Sequence, residues 1–323
     1  MQHETKRVNL VLEGGGIKGI ALVGAVNTLQ QQGYQFERLA GTSAGAVVAS
    51  LVAAGMPTQQ LATIVKTFDF PTLADEGFLD SFGLIGKSLS VLFERGIFEG
   101  KVLHDWLEQQ LAALGVRTFA DLKIDEPWAA DLPPEQRYKL VVLAADVTRG
   151  TLVRFPWDYH LYGLDPDKQS VADAVRASAS IPFFFEPVTL GESFIVDGGI
   201  ISNFPVWIFE QSNERHATDI PTFGVKLSAR PENKTTLARN DTSNTFSYAF
   251  SIISTMLDNQ DHEHINDPCT QKRTIFIDTE SIRATDFQLT PETKEALLQG
   301  GERAAAKFIS TWNFSAFLRQ CQQ

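Results

Sequence analysis

The sequence predicts an α/β fold built on a mainly parallel sheet, and three features point there. Short apolar runs at 8–12, 36–40, 139–146, 222–227 and 274–278 alternate with stretches of helical pattern, as βαβ units do. The run at 139–146, Lys-Leu-Val-Val-Leu-Ala-Ala-Asp, is almost wholly apolar, which suits a strand covered on both faces. The first two runs pass through glycine-rich turns directly into helices. In a parallel sheet such turns lie at one edge.

Each element has its own local reason. The strand at 8–12 leads into Glu13-Gly14-Gly15-Gly16-Ile17-Lys18-Gly19, and a helix follows over 20–32, closed by Gly33. The strand at 36–40 meets Gly41-Thr42-Ser43-Ala44-Gly45, and a helix of small apolar residues runs over 44–54. A short amphipathic helix is expected over 58–68. The stretch 69–100 is dense in Phe, Leu and Ile without clear period, including Phe70, Phe78 and Phe82. It reads either as core helices or as a cap over an acyl chain. A helix over 101–114 ends at Gly115, and a strand at 151–155 can pair with 139–146. A helix over 170–178 runs into the apolar loop Ala179-Ser180-Ile181-Pro182, and a strand at 193–196 is followed by Asp197-Gly198-Gly199. Further helices are expected over 246–265 and over 291–310, the latter behind a Thr290 cap with Pro291 at its first position. The whole reads as a single domain over 1–323, with the chemical motifs inside 8–205.

Composition narrows the function. Hydrophobic content of 43% and charged content of 21% are those of an ordinary globular protein. A net charge of −11 argues against nucleic acid as a partner, since that needs a basic face. The only cysteines, Cys269 and Cys321, are too few and too badly placed for a disulfide framework or a cysteine metal site. No signal peptide is visible before the first strand, and the longest apolar run is too short to span a bilayer, so a cytoplasmic protein is expected.

The turn around Ser43 has the Gly-x-Ser-x-Gly form of a nucleophile elbow. Such a serine adopts a strained backbone that lifts its hydroxyl out of the sheet, and Gly41 and Gly45 leave the turn uncrowded. The start of the following helix favours negative charge. The alternative is a tight turn with an inert serine. The first glycine loop admits two functional readings. Gly14, Gly16 and Gly19 fit a dinucleotide fingerprint, whereas bare N–H groups at a helix start can also form an oxyanion hole. A dinucleotide fold wants an acid at the end of the second strand. Glu37 precedes that end, and the strand closes in the serine turn instead, which favours acyl transfer.

A nucleophilic serine needs a base. His262 or His264 with Asp197 would match the order Ser, acid, His, but both histidines lie in a polar stretch that reads as a solvated face. Asp197 itself stands at a strand end in a glycine turn. A carboxylate with a reference pKa of about 3.9 can serve only if burial raises it. Its alternative reading is a turn aspartate bonded to its own backbone.

Gly14-Gly15-Gly16-Ile17-Lys18-Gly19, Gly41-Thr42-Ser43-Ala44-Gly45, Ala179-Ser180-Ile181-Pro182 and Asp197-Gly198-Gly199, in this order, resemble the motifs of the patatin-like phospholipases. The likeness covers about 8–205. It implies a three-layer α/β/α lipid acyl hydrolase with a Ser-Asp dyad, no catalytic histidine and no required metal or other cofactor. Ser43 would be the nucleophile and Asp197 the base, with Gly198 and Gly199 shaping its turn. Gly14, Gly15 and Gly16 would supply oxyanion donors, and Lys18 matches the family's basic position in that loop. The expected substrate is a phospholipid or lysophospholipid, met through peripheral membrane contact. The alternatives are a neutral-lipid or thioester hydrolase on the same site, or a non-catalytic nucleotide- or lipid-binding module.

Overall fold

The computed structural model describes residues 6–73, 99–210, 220–228, 248, 251–252, 255–256, 265–279, 282–284 and 288–321. Its strands are β1 (Lys6–Leu12), β2 (Tyr34–Thr42), β3 (Leu140–Asp146), β4 (Thr151–Phe155), β5 (Val188–Leu190), β6 (Ser193–Asp197), β7 (Thr222–Lys226) and β8 (Thr274–Phe276). They form one sheet in the order β5-β6-β3-β2-β1-β7-β8, with β4 also on β3. The strands from β3 to β8 in that order are parallel, and β4, β5 and β6 add antiparallel pairings at the β3 end. The parallel strands that sequence patterning predicts are all present, and β3 is buried at every residue.

The helices are α1 (Ile20–Gln31), α2 (Ala44–Ala53), α3 (Thr58–Thr67), α4 (Lys101–Ala113), α5 (Val171–Ser178), α6 (Pro268–Lys272), α7 (Pro291–Thr311) and α8 (Phe314–Cys321). Their starts follow local chemistry. The Ser170 side chain caps α5 by accepting the Asp173 N–H, and Thr290 caps α7 by accepting the Thr293 N–H. β7 shows how the layers stack. Phe223 meets Phe308 and Trp312 of the α7 region on one face, with ring centroids 4.9 and 4.8 Å apart. The next residue, Gly224, points the other way, and a Cβ there would lie 2.3 Å from the ring of Phe204. Glycine at 224 lets the segment after β6 lie flat on the opposite face. The result is helices over one face, a second layer around Phe204, Val206 and Ile265 over the other, and the sheet between.

β3 sets the position of the segments that meet at this end of the sheet. β4 pairs with it from Val142 to Asp146, so β2 and β6 must share its opposite edge. β2 occupies Leu140–Leu143 and ends there, with Thr42 opposite Leu143. β6 arrives from the other direction and occupies the remainder, with Asp197 opposite Ala144. Thr42 and Asp197 therefore face consecutive residues of one strand.

Several expectations differ from the structure. β5, α6 and α8 were not anticipated by pattern, because each is short. The expected helix over 246–265 is helical where it is described, at 248, 251–252, 255–256 and 265, and the rest lies outside the described residues. Residues 74–98, with Phe78 and Phe82, also lie outside them, as do His262 and His264. The cysteines, read as badly placed for bridging, are joined. α8 folds back beside α6, and a chain separation of 52 becomes a Cα–Cα distance of 5.6 Å in the Cys269–Cys321 disulfide. Among the described residues no helix is long and apolar enough to cross a membrane.

The disulfide closes a loop that contains β8 and α7. In a chain-entropy account such a loop contributes up to about 4 kcal/mol by restricting the unfolded chain. Neither cysteine lines the cleft described below. Cys321→Ser, or dithiothreitol treatment, should therefore lower the melting temperature by several degrees and leave the rate on a short soluble ester unchanged. Melting curves with and without reductant, beside an esterase assay, check this.

Candidate active site

β2 ends at Thr42 and α2 begins at Ala44, so one residue makes the turn. Ser43 takes φ 53° and ψ −123°, a conformation that strains any residue with a side chain. The flanking glycines are sterically required. A Cβ on Gly41 would sit 2.4 Å from the Gly45 carbonyl, and one on Gly45 would sit 2.3 Å from the Leu12 carbonyl. The elbow is thus wedged between its own helix and the end of β1. The Ser43 N–H donates to Ser178 Oγ at 2.9 Å, and Ser178 Oγ donates to the Leu143 carbonyl at 2.6 Å. Ser178 ties the strained turn to β3, a link that sequence reasoning missed.

Asp197, at the end of β6, is 1% exposed, and Ser43 is 5% exposed. Asp197 Oδ1 accepts the Gly199 N–H at 2.8 Å, and the Ser43 side chain hydrogen-bonds to the same carboxyl group. The Asp197 N–H donates to the Ser180 carbonyl at 2.9 Å, which fixes the strand end from the other side. Burial pushes the Asp197 carboxyl up to about 6, although both hydrogen bonds pull it down. Both sequence readings of Asp197 describe part of what it does, since it bonds its own turn and also reaches Ser43.

The glycine loop divides unequally. The Gly14 N–H donates to the Asn203 carbonyl at 3.1 Å, and the Gly14 carbonyl accepts from Asn203 Nδ2 at 3.1 Å. Gly14 is therefore clamped, and its N–H is not available to an oxyanion as the sequence reading had it. For the N–H groups of Gly15 and Gly16, no acceptor appears among the described residues. Lys18 lies half-buried in a single turn of 3-10 helix over Gly16–Gly19, and it does not line the cleft. At the root of the loop the buried Glu13 carboxylate accepts from Lys226 Nζ and from the Leu227 N–H, binding β1 to β7. Sequence reasoning missed Glu13, Lys226 and Asn203. Asn203 alone left a signal, as part of a polar pair with Ser202 within an apolar run.

The dinucleotide reading loses its acid, while His262 and His264 lie outside the described residues. Glu37, which a dinucleotide site would use, lies within β2 and accepts from Arg7 Nε at 2.5 Å. His104 is held by Asp173 at 2.8 Å, and His160 by the Trp157 carbonyl at 2.7 Å. Neither lines the cleft. Among the described residues no group of three His, Cys, Asp or Glu side chains could hold a metal ion.

From Ser43 a cleft of about 870 Å³, open mouth included, runs along α2 past Ala44, Val47, Val48 and Leu51. These residues share one helical face and carry the cleft about 12 Å from the elbow at 1.5 Å per residue. Leu61, Ile64 and Val65 of α3 form another wall, with Phe68, Phe70 and Trp106. The Phe68 ring lies 5.1 Å from Phe70 and 5.2 Å from Trp106. Among the described residues of this lining, Ser43 and the indole of Trp106 carry the only polar side-chain atoms. Phe70, near the start of the 69–100 stretch, lines the cleft beside Phe68.

A serine beside a buried carboxylate, at the root of an apolar channel in an α/β/α frame, is an arrangement chemically suited to acyl transfer. A family model described as patatin-like phospholipase matches residues 10–210, and the chain belongs to that family. It is 35% identical over 308 residues to the uncharacterized protein YqhO of Bacillus subtilis, a match covering 94% of this chain and 98% of that one. It is 24% identical over 203 residues to the probable lipid hydrolase 463L of Invertebrate iridescent virus 6, covering 61% of each. The crystal structure of VipD from Legionella pneumophila shares the fold, with a TM-score of 0.53 at 19% identity over 95% of this chain and 67% of that one.

The raised Asp197 pKa carries a stability cost. Between 3.8 and about 6 the folded chain holds a proton that the unfolded chain has released. Stability therefore falls as pH rises through that window, by about 3 kcal/mol in all. Asp197→Asn removes the charge and keeps an acceptor for Gly199. Its melting temperature at pH 8 should exceed that of the parent, and the gap should close below pH 4. Melting curves at both pH values check this.

Proposed function

We propose that this protein is a serine lipid acyl hydrolase that cleaves fatty-acyl esters of phospholipids or lysophospholipids. The observation that supports it most is the Ser43–Asp197 pair at the root of an apolar cleft. Asp197, with its pKa near 6, takes the proton of the Ser43 hydroxyl as Ser43 Oγ bonds to the ester carbonyl carbon. Negative charge gathers on the carbonyl oxygen, where the N–H groups of Gly15 and Gly16 receive it. The bond to the alcohol then breaks, and Asp197 returns the proton to the leaving oxygen. Water adds to the acyl-serine and gives its proton to Asp197, and Ser43 recovers that proton as the fatty acid departs.

The cleft supports the substrate side of the reading, because the apolar side chains that line it among the described residues match a hydrocarbon chain. The family's description as phospholipase supports a phospholipid over other acyl esters. The site of action is a lipid surface met from the aqueous side. A net charge of −11 gives that encounter no broad electrostatic attraction to anionic lipid.

A fluorophosphonate probe should label the parent protein and not Ser43→Ala. Ser43→Ala and Asp197→Asn should each remove nearly all esterase activity, and the double variant should be no worse than either single one, because the pair acts as a unit. A base must be deprotonated to act, so kcat/KM should fall about tenfold per pH unit below 6 and level off above it. His262→Ala and His264→Ala should keep most activity. Full activity in Asp197→Asn would overturn the reading, and lipid analysis of treated vesicles would identify the bond cut.

A further inference from the structure

Three phenylalanines in a row, Phe183-Phe184-Phe185, follow Pro182 at the wall of the cleft. Phe185 is buried and lines the cleft with Ile181. Phe184 packs on Phe185, with ring centroids 4.9 Å apart. Phe183 alone points outward and is 48% exposed. It also takes a positive φ of 67°, and among the described residues Ser43 is the one other non-glycine residue found in that half of the backbone map. The Ile181 carbonyl accepts the Phe184 N–H at 3.1 Å and the Phe185 N–H at 2.9 Å. Proline at the second position and positive φ at the third form the pattern of a type II turn, whose third position belongs to glycine. A bulky aromatic stands there, strained and facing water.

Ordinary packing does not account for this. Glycine would relieve the strain, and a polar residue would suit the exposure. What phenylalanine adds is an apolar tip on a turn whose two ends, Ile181 and Phe185, are walls of the channel to Ser43. The turn is rigid, since Pro182 fixes its entry and Ile181 and Phe185 anchor it in their own apolar cluster. The five residues 181–185 carry no charge. Tyr248 and Ile252, eight and four residues before the Met256 that packs on the same cluster, are exposed as well. The exposed tip thus stands beside a wall of the channel, and a substrate with long acyl chains arrives as part of a lipid surface.

We propose that the 181–185 turn is the lipid-docking element of this protein, with Phe183 as an anchor that inserts among acyl chains and sets the cleft mouth against the membrane. The proposal rests on the lipid hydrolase reading and adds the surface through which that site meets its substrate. Docking is by apolar insertion, so it requires no anionic head group and resists salt.

Two variants separate docking from packing. Phe183→Gly suits the backbone and deletes the anchor, and Phe183→Trp keeps an apolar ring. Flotation with phosphatidylcholine vesicles, carried out in the Ser43→Ala protein, reads binding without turnover. Its outcome is therefore independent of whether the hydrolase reading holds, which the fluorophosphonate probe tests on its own. Phe183→Gly should bind vesicles roughly tenfold or more weakly, since burying a phenylalanine ring is worth about that much or more. Phe183→Trp should bind as the parent does, at low and high salt alike. With Ser43 intact, Phe183→Gly should melt no lower than the parent and keep its rate on a short soluble ester, while its rate on vesicles falls. Unchanged vesicle binding in Phe183→Gly, or no binding by the parent chain, would overturn the proposal. An equal loss on the soluble ester would make the turn a wall of the site instead. A shift in oligomeric state on size exclusion with flotation unchanged would mark Phe183 as a contact between copies of this chain.

Discussion

The site depends on the unequal lengths of β2 and β3. β2 stops opposite Leu143, and β3 continues for three more residues. That vacant stretch of edge has unpaired backbone groups that need partners. β6 fills it from the opposite direction, which brings Asp197 opposite Ala144, one residue beyond the end of β2. The Ser43 turn leaves the sheet at that point, so backbone pairing alone brings serine and carboxylate together. Ser178 strengthens the arrangement, because its hydroxyl bridges the Ser43 N–H and the Leu143 carbonyl on the same strand. Three chain segments are thus gauged against one buried strand that side-chain motion cannot shift.

That rigidity allows the site to hold two unfavourable features side by side. Ser43 keeps a strained backbone, and Asp197 keeps a carboxyl group almost out of water. Strain of this kind persists where the surroundings over-determine the conformation. Here they do so through Gly41 wedged on Gly45, Gly45 wedged on Leu12, and two clamped strand ends. The same burial that destabilises ionised Asp197 makes it a better base than an exposed aspartate, so the stability cost and the chemistry have one origin.

The glycine loop is held differently from either end. Glu13 joins its root to β7 through Lys226 and Leu227, and Asn203 grips both backbone groups of Gly14. Gly15 and Gly16 project beyond those grips with their N–H groups unused by the described chain. Donors that are fixed in place before an anion arrives need no reorganisation when it forms. The loop is thus anchored through buried charge and hydrogen bonds, while the described residues of the adjoining cleft are almost wholly apolar.

The sequence by itself determined the elements whose causes are local. The glycine turns before α1 and α2, the Thr290 cap, the buried run of β3 and the Gly-x-Ser-x-Gly elbow all depend on residues a few positions apart, and each is where patterning puts it. Family motifs carried Ser43 and Asp197 further than chemistry alone could, since a turn aspartate and a buried base look alike in one dimension. Tertiary structure decided what depends on distant partners. Ser178 reaches Ser43 across 135 positions, Asn203 reaches Gly14 across 189, and Cys269 reaches Cys321 across 52. It also divided the glycine loop, clamping Gly14 and leaving Gly15 and Gly16, and it turned one phenylalanine of three outward. Periodicity and turn chemistry report on neighbours along the chain, whereas hydrogen-bond satisfaction, burial and pKa are set by whatever the fold brings within a few ångströms.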